Sequence, residues 1–119
     1  MKKYSLLLSF FILISCVSQE FKMLEITGNL PNSLKESSGI ENLNGSDNFW
    51  MINDSGNSNE LFEVSETGKI QQVIKVKNAK NKDWEDLATD GQNKLFIGDF
   101  GNNGNNRRDL AIYTVSISS

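Results

Sequence analysis

Histidine is absent from this chain of 119 residues, and cysteine and proline each occur once. Without histidine the chain cannot build a Ser-His-Asp or Cys-His catalytic site or a histidine-ligated zinc site. A single cysteine excludes an internal disulfide and a CxxC redox pair. The 12 basic residues are outnumbered by 15 acidic ones, and only Arg107 and Arg108 form an arginine pair. We therefore expect no nucleic-acid partner.

The N-terminus has the pattern of an export signal. Lys2 and Lys3 precede an apolar run, residues 6–14, which is much shorter than the roughly 20 residues that span a bilayer. The sequence Leu-Ile-Ser-Cys that ends at Cys16 resembles the bacterial lipobox. That resemblance implies a signal peptide over residues 1–15, a lipidated Cys16 and a tether that runs to residue 21. The alternatives are an ordinary secretory signal with an incidental cysteine and a short membrane anchor.

Short apolar runs separated by polar turns fill the rest of the chain, which is typical of an all-β domain. The turns are rich in Asn, Gly, Ser and Asp, because glycine and asparagine tolerate positive φ and Asn and Asp bond the local backbone. The predicted strands are Lys22–Thr27, Gly39–Leu43, Phe49–Ile52, Glu60–Val64, Ile70–Val76, Trp84–Ala88, Lys94–Ile97 and Leu110–Ile117.

An internal repeat appears when the middle of the chain is aligned with its end. Phe49–Asn57 matches Lys94–Asn102 at an offset of 45, and Leu61–Ser65 matches Ile112–Ser116 at an offset of 51. Four short strands in 40–50 residues suit a blade of a β-propeller. We therefore predict a partial propeller over residues 22–119, with blade 1 at about 36–77 and an incomplete blade 2 at about 83–119.

Six motifs carry a resemblance to a known family. They are Glu-Ser-Ser-Gly-Ile from Glu36, Trp-Met-Ile-Asn-Asp-Ser-Gly-Asn from Trp50, Leu-Phe-Glu-Val from Leu61, Asp-Trp-Glu-Asp-Leu-Ala from Asp83, Ile-Gly-Asp-Phe-Gly-Asn-Asn from Ile97, and Ile-Tyr-Thr-Val from Ile112. Together they resemble the start of bacterial secreted or lipid-anchored β-propellers related to NHL-type and phytase-like six-bladed propellers. The resemblance implies an envelope location, antiparallel four-stranded blades and several more blades than this chain holds.

Propeller geometry places the acidic and amide side chains at one edge of the blades. The loop after strand 2 of a blade lies on the same side as the loop that enters strand 1, so the two loops meet near the central channel. Carboxylate and amide oxygens are the ligands that Ca²⁺ prefers, and propeller phytases use Ca²⁺ to hold phosphate. The sequence thus predicts a cation site among Asp54, Asp83, Glu85, Asp86, Asp99 and Asn102, with Arg107 and Arg108 as possible phosphate contacts.

The same residues have structural alternatives. Asp54 and Asp99 can cap their own tight turns. The acidic residues around Trp84 can join two blades while the indole packs between them. Trp50 and Phe96 are expected in the core between blades, and the two arginines can be a solvated pair.

Three functions follow from these patterns. The first is a lipid-anchored binding or scaffold module of the cell envelope, expected on the outer membrane, with a small-molecule or protein ligand and with Ca²⁺ as its candidate cation. The second is a phytase-like phosphoesterase in which Glu85, Asp86 and Asp99 bind a metal whose water is the nucleophile. The third is a truncated fragment without function. No catalytic residue is identified.

Overall fold

The computed structural model describes residues 23–43 and 45–118, which form two antiparallel β-sheets. The predicted signal peptide and Cys16 lie outside these described residues. Within the described part of the chain, no helix has the length and apolar character that a membrane crossing requires.

The first sheet contains four strands in chain order. They are β1 (Ser37–Glu41), β2 (Asn48–Asn53), β3 (Glu60–Ser65) and β4 (Ile70–Lys75), and every neighbouring pair is antiparallel. Gly45, Gly56 and Gly68 occupy the three turns with φ between 62° and 83°, a conformation that costs glycine little. A short 3-10 helix, Asn32–Leu34, precedes β1.

The second sheet contains three strands, β5 (Trp84–Thr89), β6 (Lys94–Asp99) and β7 (Ala111–Ser116), again in chain order and antiparallel. The all-β class and the seven strands from β1 to β7 were thus predicted correctly. The prediction of a strand over Lys22–Thr27 is wrong for residues 23–27, which belong to neither sheet. Alternating apolar side chains favour a strand, but a strand also needs a neighbouring edge for its backbone hydrogen bonds.

The main hydrophobic core lies between the two sheets. One cluster of buried side chains joins residues from both sheets. The first sheet contributes Trp50, Ile52 and Leu61, and the second contributes Trp84, Leu87, Leu95 and Ile97. A fully buried side chain of this size contributes about 1.5–3 kcal/mol to folding, so this cluster joins the sheets. Trp50 is in the core as predicted, whereas Phe96 is partly buried and lines a hollow on the outer face of the second sheet.

A second cluster covers the opposite face of the first sheet. Met51, Phe62 and Val64 project from that face, and Leu34 of the short helix packs over them. The segment before β1 therefore closes the face of the first sheet that points away from the second. This segment fixes the direction from which the chain enters β1.

The hydrogen-bond register gives a more accurate repeat than the sequence match did. Asn53 pairs with Ser37 and Asp99 pairs with Trp84, in each case beside a bulge at the start of the first strand of the sheet. Asn53 and Asp99 are therefore equivalent, 46 positions apart rather than 45. A slip of one residue moves a side chain to the other face of a sheet. Ile52 and Ile97 consequently project from opposite faces of similar sheets and meet in the core between them.

Candidate metal site at the edge between the two sheets

Three carboxylates meet at one edge of the two sheets and form what we call the acidic cluster. It consists of Asp54, Asp83 and Glu85, each of which offers an oxygen within 4.8 Å of the others. Asp54 directly follows β2, Asp83 directly precedes β5, and Glu85 is the second residue of β5. The cluster therefore combines a loop of the first sheet with the entry to the second, as the sequence predicted for these three residues.

A β-bulge sets the direction of Glu85. The pairing of β5 with β6 shifts between Trp84 and Asp86, so Glu85 is the extra residue. Trp84 and Leu87, three positions apart, both reach the core between the sheets, which strict alternation would not allow. Bulges commonly redirect a side chain in this way, and here the bulge brings Glu85 to the cluster.

Asn81 holds the two halves of the cluster together. Its Nδ2 donates to the carbonyl oxygens of Asn53 and Asp54 at 2.8 and 2.9 Å, and its Oδ1 accepts the Trp84 N–H at 3.2 Å. The Asp54 N–H also donates to the Glu36 carbonyl at 2.9 Å. Sequence reasoning missed Asn81, although its place just before Asp-Trp-Glu-Asp was a signal that could have identified it.

Gly101 leaves the space that the carboxylates occupy. A Cβ atom on this glycine would lie 2.1 Å from Asp83 Oδ2 and 2.6 Å from Glu85 Oε1, both shorter than any real contact. The Gly101 N–H donates to the Asp83 carbonyl at 3.1 Å. Any side chain at position 101 would therefore displace two of the three carboxylates.

The acidic cluster has no basic partner among the residues that the structure describes. All three residues are partly buried, and none of the salt bridges among the described residues includes them. Partial burial, and then the negative charges of Asp54 and Asp83, raise the pKa of Glu85 above its usual value of 4.5. A bound cation would remove this repulsion.

The other three predicted ligands have structural partners. Asp99 is buried, and its Oδ1 accepts from Arg107 Nη1 at 2.9 Å and from the Asp83 N–H at 3.1 Å. Asn102 Oδ1 accepts the Arg107 N–H at 2.9 Å. Asp86 is exposed, and its Oδ1 accepts the N–H of the next residue at 2.9 Å. The structure therefore does not place Glu85, Asp86 and Asp99 together as the phosphoesterase hypothesis required.

The two arginines differ from each other. Arg107 has a side chain only 16% exposed, and its guanidinium bonds Asp99, the Gly101 carbonyl and Asp109. Arg107 thus compensates a buried carboxylate and is not a solvated residue or a free phosphate ligand. Arg108 is exposed and donates to the Arg107 carbonyl at 3.0 Å.

The donor set of the acidic cluster suits a hard cation. Carboxylate oxygens are ligands for Ca²⁺ and Mg²⁺, whereas zinc prefers nitrogen and sulfur. The absence of a basic partner for the acidic cluster among the described residues agrees with such a cation. No family model, curated protein or solved structure matches this chain. Its function is therefore inferred from the geometry of its own residues.

Proposed function

We propose that this protein is a lipid-anchored binding module of the bacterial cell envelope that binds Ca²⁺ through the acidic cluster. The observation that carries the proposal is the convergence of Asp54, Asp83 and Glu85 within 4.8 Å, without a basic partner among the described residues. The lipobox pattern that ends at Cys16 supports the envelope location.

Ca²⁺ suits the cluster better than Mg²⁺. Ca²⁺ accepts six to eight oxygens in flexible geometries, and carboxylates can bind it through one or both oxygens. Mg²⁺ demands a nearly ideal octahedron and loses water reluctantly. Three carboxylates from a loop, a strand entry and a bulge supply an irregular set of oxygens, with water completing the shell.

A bound Ca²⁺ would join the two sheets. Asp54 directly follows a strand of the first sheet, whereas Asp83 directly precedes β5 of the second sheet and Glu85 lies in it. We also propose that the two sheets are consecutive blades of a propeller. Their strand order and the shared bulge at the entry to each sheet support this interpretation.

The test is Ca²⁺ binding by the full-length chain, measured by calorimetry and by thermal unfolding. A ligand that binds only the folded state stabilises it in proportion to RT ln(1 + [L]/Kd), so the melting temperature should rise steadily with Ca²⁺ and fall with a chelator. Glu85→Gln removes one charged ligand and should abolish most of the rise. Mg²⁺ should have a smaller effect than Ca²⁺.

Asp86→Asn is the matched control. It removes the charge of the neighbouring acidic residue, which is exposed and lies outside the cluster. The control should respond to Ca²⁺ as the unsubstituted protein does. An unchanged melting curve with Ca²⁺, or equal losses in the Glu85 and Asp86 variants, would contradict the proposed site.

A further inference from the structure

The inner face of the first sheet, which packs against the second sheet, becomes polar towards one end of its strands. Leu61 and Ile74 lie opposite each other on this face and pack into the core between the sheets. Two positions further along, Glu63 lies opposite Trp50 on one side and opposite Gln72 on the other. Residues two positions apart share a face of a strand. An inward row that contains an indole therefore continues with a carboxylate and an amide.

A cavity of about 570 Å³ opens at this polar end of the space between the sheets. Apolar, amide and carboxylate side chains contribute to its lining. They include Leu43, Trp50, Glu63, Gln72, Gln92 and Asn93. The volume lies within the roughly 300–1,000 Å³ that is typical of small-molecule sites. The acidic cluster lies at the end of β2 and the start of β5, whereas the cavity lies near the start of β2 and beyond the end of β5.

Hydrogen bonds hold the polar groups of the lining in place. In the turn between β5 and β6, Asp90 Oδ1 accepts the backbone N–H groups of residues 92, 93 and 94 at 2.9, 3.1 and 3.0 Å. On the first sheet, Asn48 Nδ2 donates to Glu63 Oε1 at 3.0 Å. The turn that carries two of the amides and the carboxylate opposite them are thus ordered before a ligand binds. Such preorganisation lowers the entropic cost of binding.

The chemistry of the lining suits a neutral ligand that is rich in hydroxyl groups. No lysine or arginine of the described residues lines the cavity, so an anion would meet only the negative charge of Glu63. The amides of Gln72, Gln92 and Asn93 offer donors and acceptors, and the carboxylate accepts. A hydroxyl group can donate to and accept from such groups. The Trp50 indole adds apolar surface, which matches the C–H groups of a sugar ring.

We propose that this cavity binds a neutral saccharide of one or two sugar units. The amides and the Glu63 carboxylate bond the sugar hydroxyls, and Trp50 packs against a ring. Glu63 has no basic partner among the described residues, so its oxygens are available as acceptors. One carboxylate beside three neutral amides favours a saccharide over an organic cation. The inference does not depend on Ca²⁺ binding, because no residue of the acidic cluster lines the cavity.

Calorimetric titration of the full-length chain in the presence of a chelator tests the class of ligand. The probes are the neutral disaccharides maltose, lactose, cellobiose and diacetylchitobiose, and spermidine and inorganic phosphate are the charged comparisons. At least one disaccharide should bind saturably, and neither charged probe should bind. The chelator makes the result independent of any Ca²⁺ in the acidic cluster. Binding of a charged probe alone, or of no probe, would overturn the proposal.

Gln72→Ala and its matched control Gln71→Ala test the location of the site. Both glutamines are exposed residues of β4, but neighbouring residues of a strand project from opposite faces. Of the two, Gln72 lines the cavity. The loss of its hydrogen bond should raise the Kd of the disaccharide about two- to tenfold, whereas Gln71→Ala should leave the Kd unchanged. Equal Kd values for the two variants would contradict the site.

The two tryptophans provide a second measurement on the unsubstituted protein. Trp50 lines the cavity, whereas Trp84 is fully buried in the core. In an NMR titration, the disaccharide should shift the indole N–H signal of Trp50 and leave the signal of Trp84 in place. A shift of neither signal, or of the Trp84 signal alone, would refute the site.

Discussion

Equivalent positions in the two sheets carry buried polar side chains that anchor the entry to each sheet but differ in charge. Asn53 ends β2 and Asp99 ends β6, and they are the two buried polar side chains of the described residues. Each bonds the segment that enters its own sheet: Asn53 donates to the Ser33 carbonyl at 2.8 Å, and Asp99 accepts the Asp83 N–H at 3.1 Å. The first anchor is neutral and the second is an anion.

The longer loop of the second sheet supplies the partner of the buried Asp99 carboxylate. A buried carboxylate needs a partner, and Arg107 supplies it from the β6–β7 connection. The corresponding β2–β3 connection is shorter and anchors no arginine. The sequence suggested that Arg107 is a phosphate contact or part of a solvated pair, whereas the structure places its guanidinium on the buried carboxylate that anchors the second sheet.

The largest effect is expected from Arg107→Met, which leaves the Asp99 carboxylate buried without its partner. Removing one member of a buried ion pair costs about 3–5 kcal/mol, so the free energy of unfolding should fall by about that amount in a urea titration. Arg108→Met is the control, because Arg108 is exposed, and should change stability by less than about 0.5 kcal/mol.

Adding Asp99→Asn to Arg107→Met gives the second sheet the neutral anchor of the first. This double variant should recover part of the lost stability. A double variant no more stable than Arg107→Met would show that the charge of Asp99 is not the source of the cost.

A smaller effect is expected from Asn53→Ala. The substitution removes the hydrogen bond to the Ser33 carbonyl and leaves that acceptor without its partner, which costs about 1–3 kcal/mol. Ser33→Ala is the control, because it retains the backbone carbonyl that Asn53 bonds. If Asn53→Ala destabilised the protein as much as Arg107→Met, the neutral and charged anchors would not differ as we infer.

The smallest effect concerns pH and the acidic cluster without a cation. The pKa of Glu85 is raised in the folded state, so folding favours its protonated form. The stability it contributes is present below its usual pKa of 4.5 and is lost as pH rises through the raised folded pKa. In chelator, Glu85→Gln should therefore gain stability relative to the unsubstituted protein as pH rises through that range.

Asp86→Asn serves again as the control and should not show this relative gain. The two variants are compared with the unsubstituted protein in parallel urea titrations. A constant difference between Glu85→Gln and the unsubstituted protein at all pH values would contradict the raised pKa.

Much of the fold was predictable because it depends on local chemistry. Turn residues such as Gly45 and Gly68 and the short apolar runs within β2 and β6 mark the strands directly. The repeat was also visible, but the hydrogen-bond register was not, and it makes Asn53 rather than Asp54 the equivalent of Asp99. The strand prediction for residues 23–27 was wrong because alternation does not reveal whether a neighbouring edge is available.

The sequence alone determined the all-β class, the absence of histidine and disulfide chemistry, and the acidic residues that follow or precede the strands. These properties depend on composition and on the order of neighbouring residues, which are the same in the unfolded chain. Only the tertiary structure decided which of six candidate ligands meet. A bulge at Glu85, the bridge of Asn81 between two loops and the lack of a side chain at Gly101 bring three carboxylates together, while Arg107 holds Asp99 in a buried ion pair. Contacts between residues distant in sequence determine which candidate ligands meet, and no local sequence pattern predicts these contacts.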